Sequence, residues 1–216
     1  MTNQEITPSV FNLYAEQFSS PEDEVLISLN KETSSLPGSQ MISGHLQGQL
    51  LKMISRIVKP RNILELGTYT GYSAICLAYG LQENGKLYTV DKDERFQELR
   101  NSHWKRAGFE NVIVQHIGDA SEVIQNLNIE NVDLVFIDAD KRNYGLYFDL
   151  LIEKLPKGAL LLADNVLFHG EVVLPKEEQG KNAQFMNDFN QKIASDSRVE
   201  QVILPVRDGI TLIRKI

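Results

Sequence analysis

The sequence predicts an α/β fold: a mostly parallel seven-stranded sheet with helices on both faces, closed by a C-terminal antiparallel strand pair. Three observations carry this expectation. From Arg61 onward, short apolar runs alternate with helix-period segments, the pattern of repeated βα units. Two of the runs, Leu134-Val135-Phe136-Ile137 and Ala159-Leu160-Leu161-Leu162-Ala163, are apolar throughout, as in strands buried on both faces. The chain then closes with two β-rich runs, 199–206 and 210–216, joined by Arg207-Asp208-Gly209, which is hairpin chemistry.

Taken in order, residues 1–30 have helical periodicity: Val10, Leu13, Tyr14 and Phe18 share one face, and Val25, Leu26 and Leu29 repeat it. Pro21 starts the second piece, with Glu22, Asp23 and Glu24 suited to a helix N-terminus. Leu36-Pro37-Gly38-Ser39 is a turn. Ser43 is an expected N-cap, and the stripe Leu46, Leu50, Leu51, Ile54, Ile57 and Val58 runs to Pro60. Strands follow at 62–66, 86–90, 111–117, 134–137 and 159–163. Helices alternate with them at 71–79, 94–106, 120–127 and 144–154. A last helix is expected over 183–195. Residues 167–182 form the longest irregular stretch, read either as a functional loop beside a ligand edge or as solvated surface. The expected organisation is a helical extension over 1–40, serving as a lid or a dimer contact, and one domain over 41–216.

The bulk numbers bound the function. The 216 residues suit one large domain, and the net charge of −7 argues against a general binder of nucleic acid or acidic membrane. The single cysteine, Cys76, excludes an internal disulfide and lies in an apolar helical stretch. There is no secretory pattern in residues 1–10 and no run approaching the ~20 apolar residues of a membrane span, so the expected location is cytoplasmic.

Strand ends carry the chemistry. In a parallel sheet the carboxyl ends of the strands form the edge where ligands bind. Asp138 and Asp140, with Lys141 beside them, end one run; Asp164 and Asn165 end another, so Asp138, Asp164 and Asn165 can converge. Carboxylate and carbonyl oxygens are what hard cations choose. The same acids also suit helix caps, and Lys141 also suits a surface pair with Asp140. Ile63-Leu64-Glu65-Leu66-Gly67-Thr68-Tyr69-Thr70-Gly71-Tyr72-Ser73 is a strand, glycine loop and helix, but its glycine spacing is not the dinucleotide fingerprint and it has no phosphate-binding lysine. Glu65 would repel a pyrophosphate and favour a cationic ligand. Asp91 can accept bonds from ribose hydroxyls, and Gly118-Asp119-Ala120 leaves room for an adenine ring with Asp119 near its amine. Together these acids describe a nucleoside pocket with no provision for phosphate. Of the four histidines, His169 lies in the loop after the metal candidates. His45, His103 and His116 have no zinc-pair spacing, and His103 with Trp104 reads as helix packing or surface.

These motifs resemble the class I methyltransferases that use S-adenosylmethionine. More narrowly, they resemble the cation-dependent O-methyltransferases typified by caffeoyl-CoA O-methyltransferase and related to catechol O-methyltransferase. The resemblance rests on the glycine loop above, on Asp138-Ala139-Asp140-Lys141-Arg142-Asn143-Tyr144, on Ala163-Asp164-Asn165 and on Leu204-Pro205-Val206-Arg207-Asp208-Gly209-Ile210, and runs from about Met41 onward. It implies a Rossmann-like class I methyltransferase fold. It further implies S-adenosylmethionine lined by Ser43, Glu65, Gly67, Thr68, Ser73, Asp91, Asp119, Ala120, Asp138, Asp140 and Tyr147. Asp138, Asp164 and Asn165 would hold a divalent cation, Mg2+ with Mn2+ or Ca2+ as alternatives, and Asp138 and Lys141 would be catalytic, Lys141 as general base. A homodimer and a small hydroxylated aromatic acceptor are implied, with no nucleic-acid or membrane partner. The departure is Phe168 and His169, where plant members have tryptophan and asparagine. Two rival readings stand beside it: a nicotinamide-dependent dehydrogenase, and a non-catalytic nucleoside-binding module.

Overall fold

The computed structural model describes residues 9–216, so the part of the expected first helix before Ser9 lies outside the described residues. Three helices come first: α1 (Ser9–Gln17), α2 (Glu24–Thr33) and α3 (Gly44–Val58). Alternation then sets in with β1 (Asn62–Leu66), α4 (Tyr72–Ala78), β2 (Lys86–Asp91), α5 (Gln97–Arg106), β3 (Ile113–Ile117) and α6 (Ala120–Asn126). It continues with β4 (Leu134–Ile137), α7 (Tyr144–Lys154), β5 (Leu160–Asp164) and α8 (Lys181–Ser195), and the hairpin β6 (Val199–Leu204) and β7 (Ile210–Lys215) closes the chain.

The strands form one sheet in the order β3-β2-β1-β4-β5-β7-β6. The first five are parallel; β7 lies antiparallel to both β5 and β6. Strand alternation divides the core in two. Leu64, Leu66, Val135 and Ile137 pack with α6, α7 and α8, whereas Ile63, Leu134 and Phe136 pack with α2, α3 and α4. All four residues of β4 are buried, as its unbroken apolar run requires. The sheet reverses direction about β1 and β4, whose ends are joined where Asp138 N donates to Leu66 O. That is the crevice where α/β sheets bind ligands. The β7 register sets Ile210 opposite Asp164, which returns the hairpin tip to this same edge.

Several boundaries differ from expectation, each for a local reason. The second helix begins at Glu24, not at Pro21, because Glu22 and Asp23 are drawn into tertiary bonds: Tyr72 Oη donates to Glu22 (2.5 Å) and Lys52 Nζ to Asp23 (2.6 Å). Helix α5 begins at Gln97, not 94, because Asp93 accepts from Arg95 N (2.9 Å) and holds a turn there. Strand β3 begins at Ile113, since Val112 N and Ile113 N both bond back to Phe109 O. The last strand pairing is Leu204 with Ile210, just before Pro205, which has no N–H to donate. Ser43 precedes α3 but makes no side-chain cap bond. Residues 167–182 are not plain surface loop: they hold two short 3-10 segments, Phe168–Val173 and Lys176–Glu178, stitched by Gln179 Nε2 to Val172 O and Leu174 O. Leu26 and Leu29 of α2 are buried in the same core cluster as α3 and α4. Helix α1 differs, with Val10, Leu13 and Tyr14 exposed, as is Phe18 just after it. Among the described residues no helix is long and apolar enough to cross a membrane.

Candidate active site

A cleft of about 850 Å³ opens at the carboxyl ends of β1, β2, β4 and β5. Of the residues expected in the site, Ser43, Gly67, Thr68, Ser73, Asp91, Ala120, Asp138, Asp140, Lys141, Tyr147, Asp164 and Asn165 line it. Its walls depend on two glycines. Gly67 has φ +96°, and a Cβ there would stand 2.2 Å from Asp138 O, so no side chain fits between the ends of β1 and β4. Gly71 has φ +85° and rests on the Trp104 indole, which a Cβ would meet at 2.6 Å; Trp104 is therefore buried packing beneath the loop.

Glu65 stands behind this lining and is fully buried. Thr89 Oγ1 donates to Glu65 Oε2 (2.5 Å), so the Thr68 hydroxyl at 2.5 Å from Thr89 must donate in turn. Oε1 of Glu65 is buried with no hydrogen bond formed. Burial pushes the Glu65 pKa up to about 7, against the pull of the Ser73 and Thr89 hydroxyls and with a further push from Asp138 and Asp91. Asp91 is held in place by the loop itself, its Oδ2 accepting from Thr68 N (3.0 Å) and Tyr69 N (2.7 Å).

Asp119, like Glu65, is an expected cofactor residue outside the lining, but it turns to local partners. Its carboxylate accepts from Ser121 N (2.8 Å) and Ser121 Oγ and pairs with Lys92 (2.7 Å). It caps α6, and those bonds hold its pKa well below the usual carboxylate range. Neighbouring Gly118 and Ala120 face the cleft instead.

The two strand-tip acids do meet in one cleft. Asp164 is buried, its Oδ1 accepting from Asn165 N (2.8 Å). Burial raises its pKa and the nearby Asp138 carboxylate raises it further. Lys141 Nζ donates to Asp138 Oδ1 (2.7 Å) and to Tyr144 Oη (2.9 Å), and not to Asp140, which pairs with Arg142. Burial alone would lower the Lys141 pKa, but the acidic groups of Tyr144, Asp138 and Asp164 outweigh it and the net direction is up. The ammonium is thus the cation balancing both carboxylates. Asn165 takes φ +57°, a left-handed conformation that asparagine tolerates better than most residues. Among the described residues no three His, Cys, Asp or Glu side chains form a metal cluster. The donors gathered here are two carboxylates and one amide oxygen, a hard set without sulfur or imidazole.

Two residues of this network were not anticipated. Gln47 of α3 donates from Nε2 to Asp164 Oδ2 (2.6 Å), and Arg207 Nη1 donates to Gln47 Oε1 (3.0 Å). The signal for Gln47 was a polar side chain at helical spacing, four before Leu51 and seven before Ile54, on a face that is otherwise core. His169 and Phe168 also line the cleft, in left-handed backbone, with His169 N donating to Asp208. His103 is buried and bonded to Leu99 O (3.0 Å), and His45 bonds Ser20 O.

Comparison with known proteins agrees with the geometry. The O-methyltransferase family matches over residues 16–216. A caffeoyl-CoA O-methyltransferase of Stellaria longipes is 35% identical over 204 residues, covering 90% of this chain and 85% of that protein. Among solved structures, an O-methyltransferase from Bacillus cereus, in complex with SAH, superposes with a TM-score of 0.85 at 28% identity, over 96% of this chain and 97% of that one. TomG of Streptomyces achromogenes, an O-methyltransferase involved in tomaymycin synthesis and solved with SAM, gives a TM-score of 0.85 at 30% identity, over 100% and 99%. Neither the dehydrogenase nor the non-catalytic reading accounts for this set of relatives. The chain belongs to the O-methyltransferase family and is an O-methyltransferase.

Proposed function

We propose that the protein transfers a methyl group from S-adenosylmethionine to a hydroxyl of a catechol-like small aromatic acceptor, with a divalent cation, Mg2+ by preference, held by Asp138, Asp164 and Asn165. The observation that carries the reading is the meeting of Asp138 and Asp164, from two separate strand tips, in one cleft with Asp91 and the glycine loop. Asp91 receives the ribose hydroxyls, Ala120 and Tyr147 flank the adenine, and Ser43, Thr68, Ser73 and Asp140 line the remainder. Behind them, the unfilled Glu65 Oε1 supports a cationic ligand, and a sulfonium with its ammonium is one.

When bound, the divalent cation supplies Lewis-acid charge that lowers the acceptor hydroxyl's pKa and orders two adjacent oxygens. Lys141 would be the general base: once Asp138 and Asp164 are otherwise satisfied, its ammonium would release a proton to solvent, and the neutral Nζ would then accept the hydroxyl proton. The acceptor oxygen then attacks the methyl carbon in line, from a near-attack contact of about 3–3.5 Å, forming the O–C bond as the C–S bond breaks and S-adenosylhomocysteine leaves as the neutral thioether. Phe168 and His169 border the acceptor side. The test is mass spectrometry for a gain of one methyl across a panel of catechols and monophenols, with EDTA and with Mg2+ restored. Methylation of catechols that stops on chelation and returns with Mg2+ is expected. Activity surviving full chelation rejects the cation, and methylation of no hydroxylated aromatic rejects the acceptor class.

The exposed apolar face of α1, with Val10, Leu13 and Tyr14, the exposed Phe18 just after it, and the exposed Met53 and Ile57 of α3 support a homodimer in which a second copy covers them.

A further inference from the structure

The geometry points to Gln47 and Arg207 as positioning residues for the divalent-cation site: Arg207 fixes the sense of the Gln47 amide, and the amide fixes the Asp164 carboxylate. This rests on the cation site proposed above. Gln47 and Asp164 are 1% and 4% exposed, so neither can exchange its partner for water. Arg207 Nη1 donates to Gln47 Oε1 (3.0 Å). A flipped amide would set N–H against guanidinium and carbonyl against carboxylate, two repulsions at once, so Nε2 must face Asp164 Oδ2 (2.6 Å). With Asn165 N on Oδ1 (2.8 Å), each carboxylate oxygen has one protein donor, which sets the carboxylate plane and leaves the second lone pairs for the cleft.

Arg207 is itself delivered under constraint. It takes φ +51°, and Gly209, at φ +85°, presses on Leu167 so closely that a Cβ would stand 2.5 Å from it. The same Nη1 donates to the Ile42 carbonyl (3.2 Å) and to that of Ser43. The guanidinium therefore ties the hairpin tip to the start of α3, the helix that carries Gln47. Orienting partners behind metal ligands are typically worth about 10–100-fold in metal affinity.

The experiment titrates Mn2+ into the full chain and follows free Mn2+ by electron paramagnetic resonance, for wild type, Gln47→Met, Arg207→Met and the double variant. Gln47→Met is expected to weaken Mn2+ binding about 10–100-fold while S-adenosylhomocysteine affinity, read by calorimetry, stays within about threefold. Arg207→Met should weaken Mn2+ to a smaller extent, and the double variant should bind no more weakly than Gln47→Met, because the arginine acts through the glutamine. Additive losses, or variants that bind Mn2+ as wild type does, overturn the inference alone. If Gln47→Met does not fold, Arg207→Met decides by the same measure. A wild-type chain that binds no Mn2+ overturns the cation site and this inference together.

Discussion

Replacing Glu65 by glutamine isolates the cost of holding a charge inside this protein. Glu65 is fully buried and its pKa is pushed up to about 7 from an ordinary 4.5. Between those values the folded chain holds a proton that the unfolded chain has released. Stability contributed by the protonated form is therefore present below about pH 4.5 and lost as pH rises through 7. At about 1.4 kcal/mol per pH unit, the loss is about 3 kcal/mol; full burial leaves no solvent screening to reduce it. Glutamine keeps an oxygen for the Thr89 hydroxyl and does not ionise. Urea unfolding of wild type and Glu65→Gln at pH 5 and pH 8, followed by far-UV circular dichroism, reads the difference, since titrating groups that do not interact with Glu65 cancel. The variant should gain about 2–3 kcal/mol on wild type between the two pH values. Its affinity for S-adenosylmethionine at pH 8 should fall about tenfold, as expected where a charged acceptor is lost. A stability difference that is the same at both pH values refutes the reasoning.

Two further outcomes follow from features already described. Gly67→Ala forces a Cβ against Asp138 O and strains a φ of +96°, so it should lower stability by about 2 kcal/mol or more and abolish cofactor binding; a thermal melt and calorimetry with S-adenosylhomocysteine check it, and wild-type behaviour in both would disprove the close approach. Leu13→Glu combined with Phe18→Glu places charge on an exposed face, so the fold should survive while sedimentation shows a dimer turned monomer; a wild type that already sediments as a monomer disproves the covered face.

Much of this architecture was legible because burial on both faces leaves an unmistakable trace. Leu134–Ile137 could only be a central strand, and the helix over 144–154 was found at its true ends. The acids at strand tips were legible for the same reason: a charge directly after an apolar run must lie at the sheet edge. That logic does not say where a carboxylate turns. Asp119 and Asp138 both stand at strand ends, yet Ser121 and Lys92 satisfy the first locally, while the second meets Lys141 in the cleft. Periodicity could mark Gln47 as a polar side chain on a core face, but the partners of Gln47 and Arg207 were illegible because they lie 117 and 160 residues away. Two helix starts failed because acids bond elsewhere than a helix cap: Glu22 and Asp23 take distant partners, and Asp93 holds a local turn.

The placement of β7 between β5 and β6 bears on the order in which the molecule becomes competent. A nascent chain that has left the ribosome only as far as α8 already owns both strand-tip carboxylates and the glycine loop. It lacks the guanidinium that reaches back to Ile42, Ser43 and Gln47, and that contact spans most of the polypeptide. Such distant pairings form late because a long loop must close first. Cation binding should consequently appear abruptly with this hairpin, and a refolding assay that follows Mn2+ capture should lag one that follows helix content.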